Sequence, residues 1–298
     1  MRSLQHSPWP VVAVFVLPSF LGFFLFMAIP IAASVGLSLT NFSGGPNFRF
    51  LGLTNYINAF KMESFRHSLW VTMVFSFWTV LLQLVLGLIF ALLLNDKMFS
   101  RNFFRGTMFL PNVLSSVAVG LVFSLLLDSK RGPVNQLLTF LHIPAPQWLA
   151  GEKSALPTII MVTVWQNFGY YMVLFLGGLQ TISKALYEAA AIDGAGPVRR
   201  FLSVTIPGLS PMIFFSVTMA IIRAFQVFDQ VFIMTGGQAG GGPAGATSVL
   251  VFDIYKSGFS QFRFGYAAAE SVVLLGIILI VTLIQQKGQK KWVTYDIV

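Results

Sequence analysis

Six long apolar stretches follow one another along the chain, at about residues 9–39, 69–94, 106–127, 157–179, 209–234 and 264–285. A hydrocarbon core about 30 Å thick is crossed by about 20 apolar residues in a helix, so each stretch predicts one membrane span. Helices rather than strands are expected, because lipid offers no partner to backbone polar groups. The run from Leu81 to Leu94 also lacks the every-second-residue alternation of a barrel strand. Pro18 and Pro30 predict bends in the first span. Its start, with Arg2 ahead of an apolar run, has the look of a secretory signal. The run is far longer than a signal core of about 7–15 residues and no small-residue cleavage site ends it, so it is read as an anchor. The expectation is an all-α polytopic membrane protein, a single transmembrane domain over 1–298.

Composition strengthens this. Hydrophobic residues make up 56% of the chain and charged residues 10%, with a mean hydropathy of +0.78. A soluble chain carries about 25% charged residues. With no cysteine there is neither a disulfide framework nor a thiolate metal site. The net charge of +9 comes from basic residues scattered between the spans, the pattern of an orientation signal and not of a nucleic-acid footprint. With both ends on one side, that side holds ten Lys and Arg residues, Arg2, Lys97, Arg101 and Arg105 among them, against eight opposite. The ten sit in shorter connections directly beside helix ends, which predicts that both termini are cytoplasmic. The outward loops, Asn41–Arg66, Asp128–Leu156 and Thr235–Arg263, are long and rich in Gly and Pro.

The inward connection at 181–203 is the most informative. Lys184 to Asp193 is dominated by strong helix formers, with Ser183 as N-cap, Gly194 as terminator and Pro197 opening the next turn. Leu186, Ala189, Ala190 and Asp193 recur at three- and four-residue spacing, a mostly small-residue face suited to close docking by another protein. An ordinary interfacial helix would read the same way.

Glu188-Ala189-Ala190, then Gly194, then Val204-Thr205-Ile206-Pro207, resembles the EAA loop of binding-protein-dependent ABC importers. The family pattern is EAA, three residues, Gly, nine residues and Ile-x-Leu-Pro. The spacing is kept here, with Val204 for Ile and Ile206 for Leu the only departures. Phe225-Gln226-Val227-Phe228-Asp229 with Thr235-Gly236-Gly237, Leu51 to Tyr56, Phe103 to Pro111 and Phe264 to Ala269 are similar to segments of the carbohydrate-uptake branch. The likeness is greatest to its maltose- and glycerol-phosphate-type first permease subunits. It implies the ABC importer type I permease fold, with Glu188, Ala189, Ala190, Asp193, Gly194 and Pro207 in and beside a cytoplasmic coupling helix. It further implies a second, homologous permease subunit, a dimer of cytoplasmic ATPase subunits that holds ATP and Mg, an extracytoplasmic solute-binding protein, and a bacterial or archaeal inner membrane. No phosphate-binding Gly-x-x-x-x-Gly-Lys-Ser/Thr loop occurs in the chain, so no ATPase activity and no cofactor are expected of it.

Ionisable residues inside a span are costly and therefore functional candidates. Arg223, Gln226, Asp229 and Gln230 share a spacing that predicts one polar stripe on the fifth span, and Glu270 lies in the sixth. At 1.5 Å per residue, Asp229 and Glu270 come out about 8 and 9 Å from their outer helix ends, and Arg223 about 16 Å deep. The stripe fits a water-lined path for a hydroxyl-rich solute, while an Arg223–Glu270 ion pair that only fixes packing is the structural alternative. In the fourth span Gln166 shares a face with Tyr170 and Asn167 with Tyr171, either path-lining or anchoring at the interface. Pro207 reads as a joint between coupling segment and span, or as a plain helix start. Of the rival classes, an intramembrane hydrolase lacks its residues: His6, His67 and His142 lie outside the spans or at their ends. An ion-gradient-driven secondary transporter would use Asp229 and Glu270, but has no need of a helix shaped to an ATPase.

Overall fold

The computed structural model describes residues 9–46, 48–95, 100–237 and 240–292. His6, Arg2 and Lys97, weighed above, lie outside the described residues. The described chain is helical, with a lone bridge between Thr40 and Phe50 as its extended pairing. Contacts group it into two units, the residues up to Met62 with Ile254–Val273, and Glu63–Asp253 with Leu274 onward.

In the first unit α1 (Trp9–Phe23) passes through a wide π-turn, Phe24–Ala28, into α2 (Ile29–Ser38). At Pro30, where a bend is expected, the helix continues through this wider turn. A proline removes one helical donor and crowds the carbonyl four residues back, and in the wide turn Ile29 N–H reaches back to Phe24 O instead. The end of α2 is tied by α3 (Thr54–Lys61). Asn55 donates to Ser38 O at 2.8 Å and Thr40 O at 2.7 Å, and Tyr56 OH meets Ser38 Oγ at 2.6 Å. Gly265, near the start of α14 (Phe264–Trp292), donates its N–H to Phe42 O at 2.9 Å, and a Cβ there would run into the Thr40 carbonyl.

The second unit is built on α8 (Glu152–Thr181), whose apolar stretch is 61% buried against at most 33% in the other unbroken spans. Around it pack α4 (Glu63–Leu93), α5 (Arg101–Val113), α6 (Ser116–Leu126), α11 (Ile206–Phe225) and α12 (Asp229–Met234). Small residues let the backbones approach, as in most membrane bundles. A Cβ at Gly87 would stand 2.9 Å from Tyr171 Cβ, and one at Gly169 would collide with the Met108 carbonyl. The connections carry α7 (Pro133–Phe140) and α13 (Leu250–Tyr255). Asp128, before α7, accepts backbone N–H from Arg131 at 2.7 Å and Lys130 at 3.0 Å, which holds its carboxyl below the usual carboxylate range.

Two expected spans come out differently. The third, expected as one helix over 106–127, is α5 and α6 meeting at 96°, with the break at Leu114 and Ser115. The fifth, expected over 209–234, starts earlier and ends earlier. It runs from α10 (Pro197–Arg200) through a second π-turn, Phe201–Thr205, into α11, stops at Phe225, and resumes as α12 after the non-helical Val227 and Phe228. Pro207 is therefore not a plain helix start. Like Pro30, it follows a π-turn inside a continuing helix, and Ile206 N–H reaches Phe201 O.

Candidate functional site

Each break leaves backbone groups that lipid could not satisfy. Gln166 of α8 reaches both breaks, a backbone carbonyl at one and a side-chain amide at the other. Its Nε2 donates to Leu114 O at 3.1 Å, at the α5–α6 bend, and its Oε1 accepts from Gln230 Nε2 at 2.9 Å, in the first turn of α12. One residue on, Asn167 accepts from Asn112 Nδ2 at 3.1 Å and donates to Thr163 O at 2.8 Å. A buried amide thus joins two broken helices through the helix between them.

Beside this junction lies a cavity of about 200 Å³, walled by α4, α6, α8 and the α11–α12 break. Its lining is polar: Thr79, Gln83, Ser116, Thr163, Asn167 and Tyr171 with Arg223, Gln226, Asp229 and Gln230. All four members of the expected stripe reach it, although they do not share one helix. The break falls between them, so the depth assigned to Asp229 from a continuous helical rise does not hold. Asp229 opens α12, where a carboxylate is favourable to the helix dipole. Arg223, Gln226 and Asp229 are exposed, while Gln230 and Gln166 are buried. The Arg223 guanidinium lies over the Tyr170 ring, 4.7 Å from its centroid, within reach of a cation–π contact. Asn167 lines the cavity and Gln166 and Tyr170 stand behind it. Glu270 belongs to the first unit, wholly buried.

The sequence reading missed the α4 contribution. Ser68, Thr72, Ser76, Thr79 and Gln83 recur every three or four residues and all are buried. The last two of them line the cavity, and Thr72 Oγ1 accepts Leu250 N–H at 2.8 Å. Small hydroxyls scattered in an apolar run register weakly in hydropathy, but their helical spacing was there to be read.

The connection after α8 forms a second candidate surface. α9 (Lys184–Ile192) ends in a Schellman turn, with Ala195 N–H on Ala190 O at 2.9 Å, Gly194 N–H on Ala191 O at 3.1 Å, and Gly194 at φ +73°. Its inner face is Leu186, Tyr187 and Ala190, packed on the apolar cluster around Tyr171 and Leu209. The face expected to unite Leu186, Ala189, Ala190 and Asp193 is therefore divided: Leu186 and Ala190 turn inward, and Ala189 and Asp193 are exposed with Glu188. Ile192 is 86% exposed and, beyond the turn, Val198 72%. Tyr187 OH meets Thr205 Oγ1 at 3.0 Å, fastening α9 to the π-turn ahead of Pro207.

Residues 83–292 match the family described as binding-protein-dependent transport system inner membrane component. The chain belongs to this family. It is 36% identical over 279 residues to the probable ABC transporter permease protein YurN of Bacillus subtilis, covering 92% of this chain and 94% of the relative. To the arabinooligosaccharides transport system permease protein AraP of the same organism it is 32% identical, covering 96% and 90%. A chain of a bacterial alginate ABC transporter, crystallised with an alginate pentasaccharide-bound periplasmic protein, superposes with a TM-score of 0.82 at 20% identity over 94% of each chain. The fold is that of an ABC importer type I permease. As a family member the chain is a membrane-spanning transport component, and its relatives are permease subunits.

Proposed function

We propose that this permease forms, with a second and homologous permease subunit, the translocation path of an ATP-driven importer for a carbohydrate or related polyhydroxylated solute. The observation that carries the reading is the exposed Arg223, Gln226 and Asp229 at the break of a membrane helix, gathered on one polar cavity. Exposed charges at such a place are stable when they face water or a partner and not lipid. The cavity's volume of about 200 Å³ is below that of a complete solute site, typically about 300–1,000 Å³, which suits half of a path completed by a partner. Amides, hydroxyls and one charge of each sign favour a neutral, hydroxyl-rich solute over an ion. Two relatives' names agree in kind, arabinooligosaccharides and trehalose/maltose, while a third names a polyol carrying a charge, sn-glycerol-3-phosphate. They lend nothing to a gradient-driven carrier.

In this reading Glu188, Ala189, Asp193 and Gly194 present α9 to a groove on a cytoplasmic ATPase dimer, which holds ATP and Mg. Ala190 seats the helix on the bundle, and both termini are cytoplasmic. ATPase closure pushes α9, and the Tyr187–Thr205 contact and the π-turn before Pro207 carry the push into α11. The path then alternates between two packings, loaded from outside by a solute-binding protein.

Purification of the tagged chain in mild detergent tests the assembly. An ATPase with a phosphate-binding loop and a second six-span permease are expected to co-purify; recovery alone or as a homodimer under several mild conditions overturns it. For the path, Gln226→Leu is expected to lower uptake about fivefold, the equivalent of about one hydrogen bond, without dissociating the complex. Unaltered uptake of several solutes would return Gln226 to a packing role.

A further inference from the structure

At the end of α8 that leads into α9, two arginines of α5 converge on one neutral group. Arg101 and Arg105 stand one helical turn apart and so share a face. With the Gln180 amide placed so that its oxygen faces them, Arg101 Nη2 donates to it at 3.0 Å and Arg105 Nη2 at 3.3 Å. Gln180 lies in the last turn of α8, four residues before α9 opens at Lys184. A guanidinium carries five N–H donors, and one amide oxygen can neither serve ten nor balance two positive charges. Among the described residues, Nε of Arg101 and Nε of Arg105 are both shielded from solvent without a hydrogen-bond partner. Buried donors are normally satisfied, and two forked cations side by side match the oxygens and charge of a phosphate. The same helix exposes Phe103 and Phe104, at 67% and 39%, apolar rings of the kind an interfacial helix turns toward acyl chains.

We propose that Arg101 and Arg105 bind the phosphate of an anionic phospholipid headgroup, bridging α5 to the last turn of α8 directly beside α9. The phosphate supplies the missing acceptors and charge, and the acyl chains lie along the apolar side of α5. The site is argued from these contacts alone; only its assignment to the cytoplasmic leaflet rests on the orientation proposed above. Its failure would leave the transport reading standing, because the test needs no transport.

The full-length protein is purified and placed in nanodiscs of phosphatidylcholine alone or with phosphatidylglycerol, and thermal unfolding and lipid retained in native mass spectrometry are recorded. Wild type is expected to retain phosphatidylglycerol selectively and to unfold at a higher temperature with it, and Arg101→Gln/Arg105→Gln to lose both effects. Arg101→Lys/Arg105→Lys, which keeps the charge but not the fork, is expected to retain part of the selectivity. Inorganic phosphate in phosphatidylcholine discs is expected to give no shift; a full shift would keep the phosphate site and overturn its lipid source. Asp96 is the nearest acidic residue in the sequence and lies outside the described residues. If Asp96→Asn alone reproduced the double variant, the arginines would be paired within the chain and the proposal would fall. It would fall equally if the double variant behaved as wild type in both readouts.

Discussion

Gly169→Leu is expected to leave almost no folded protein in the membrane, and Gly169→Ala to unfold at a temperature several degrees lower in detergent. A Cβ at this position runs into the Met108 carbonyl and comes within 3.0 Å of Phe109 Cα, both backbone atoms of α5 that no rotamer change can move. α5 would have to retreat from α8. That retreat pulls on Asn112–Asn167 and on Gln166–Leu114, the two hydrogen bonds that hold the bent third span. Each buried group left unpaired costs about 1–3 kcal/mol, and overpacking itself about 1–3 kcal/mol. The sum, about 3–9 kcal/mol, is comparable with the whole stability of many proteins. Gly177 on the same helix provides the control, because a Cβ there meets nothing within 4 Å. Gly177→Ala should be neutral or slightly stabilising, since alanine favours a helix by about 1 kcal/mol over glycine. Equal behaviour of the two alanine variants in thermal unfolding would show that the close crossing at Met108 does not govern packing.

Gly194→Pro is expected to abolish solute uptake while the protein still inserts and the bundle still unfolds at its normal temperature. Proline fixes φ near −65°, whereas Gly194 sits at +73°, and its lost N–H is the one that reaches Ala191 O. The Schellman turn cannot form, so the end of α9 and the direction of the chain toward Pro197 are lost together. The spans do not depend on this turn. Gly194→Ala keeps the N–H and meets nothing with its Cβ, so its cost is conformational, about 1–2 kcal/mol, and a partial loss of uptake is expected. Glu188→Lys separates docking from folding. Glu188 is exposed on α9, and exposed substitutions change stability by about 0.5 kcal/mol or less. Loss of uptake together with loss of the co-purifying ATPase would place the defect at the docking surface. Normal uptake in both Glu188→Lys and Gly194→Pro would remove α9 from the coupling role.

Which residues reach the cavity was only partly legible. Arg223, Gln226, Asp229 and Gln230 stand out because polar groups in apolar helices are rare, and all four line it. The reason first given for grouping them, a continuous helical face, is wrong. They meet because the helix breaks between Phe225 and Asp229 and both pieces turn toward α8. Thr79 and Gln83 were passed over because α4 reads as a uniform apolar span. On α9 the boundaries agree with the propensities of its residues and Gly194 ends it, yet the outward face differs. Tyr187 and Leu186 anchor inward, and neither spacing nor size says which side of a short helix the bundle will cover.

What the sequence determined alone is whatever free energy assigns to single segments. Apolar runs long enough to cross a bilayer must be helices, because no other open structure satisfies its backbone in lipid. Helix formers ended by glycine make α9, and the EAA spacing places the family. What the tertiary structure decided depends on groups far apart in the chain. The 96° bend of the third span stands because Gln166, about fifty residues later, accommodates the freed Leu114 carbonyl. The fifth span breaks where Gln230 finds that same amide. A local pattern records how favourable a helix is at each position, but not whether a distant side chain will satisfy the backbone where the helix stops.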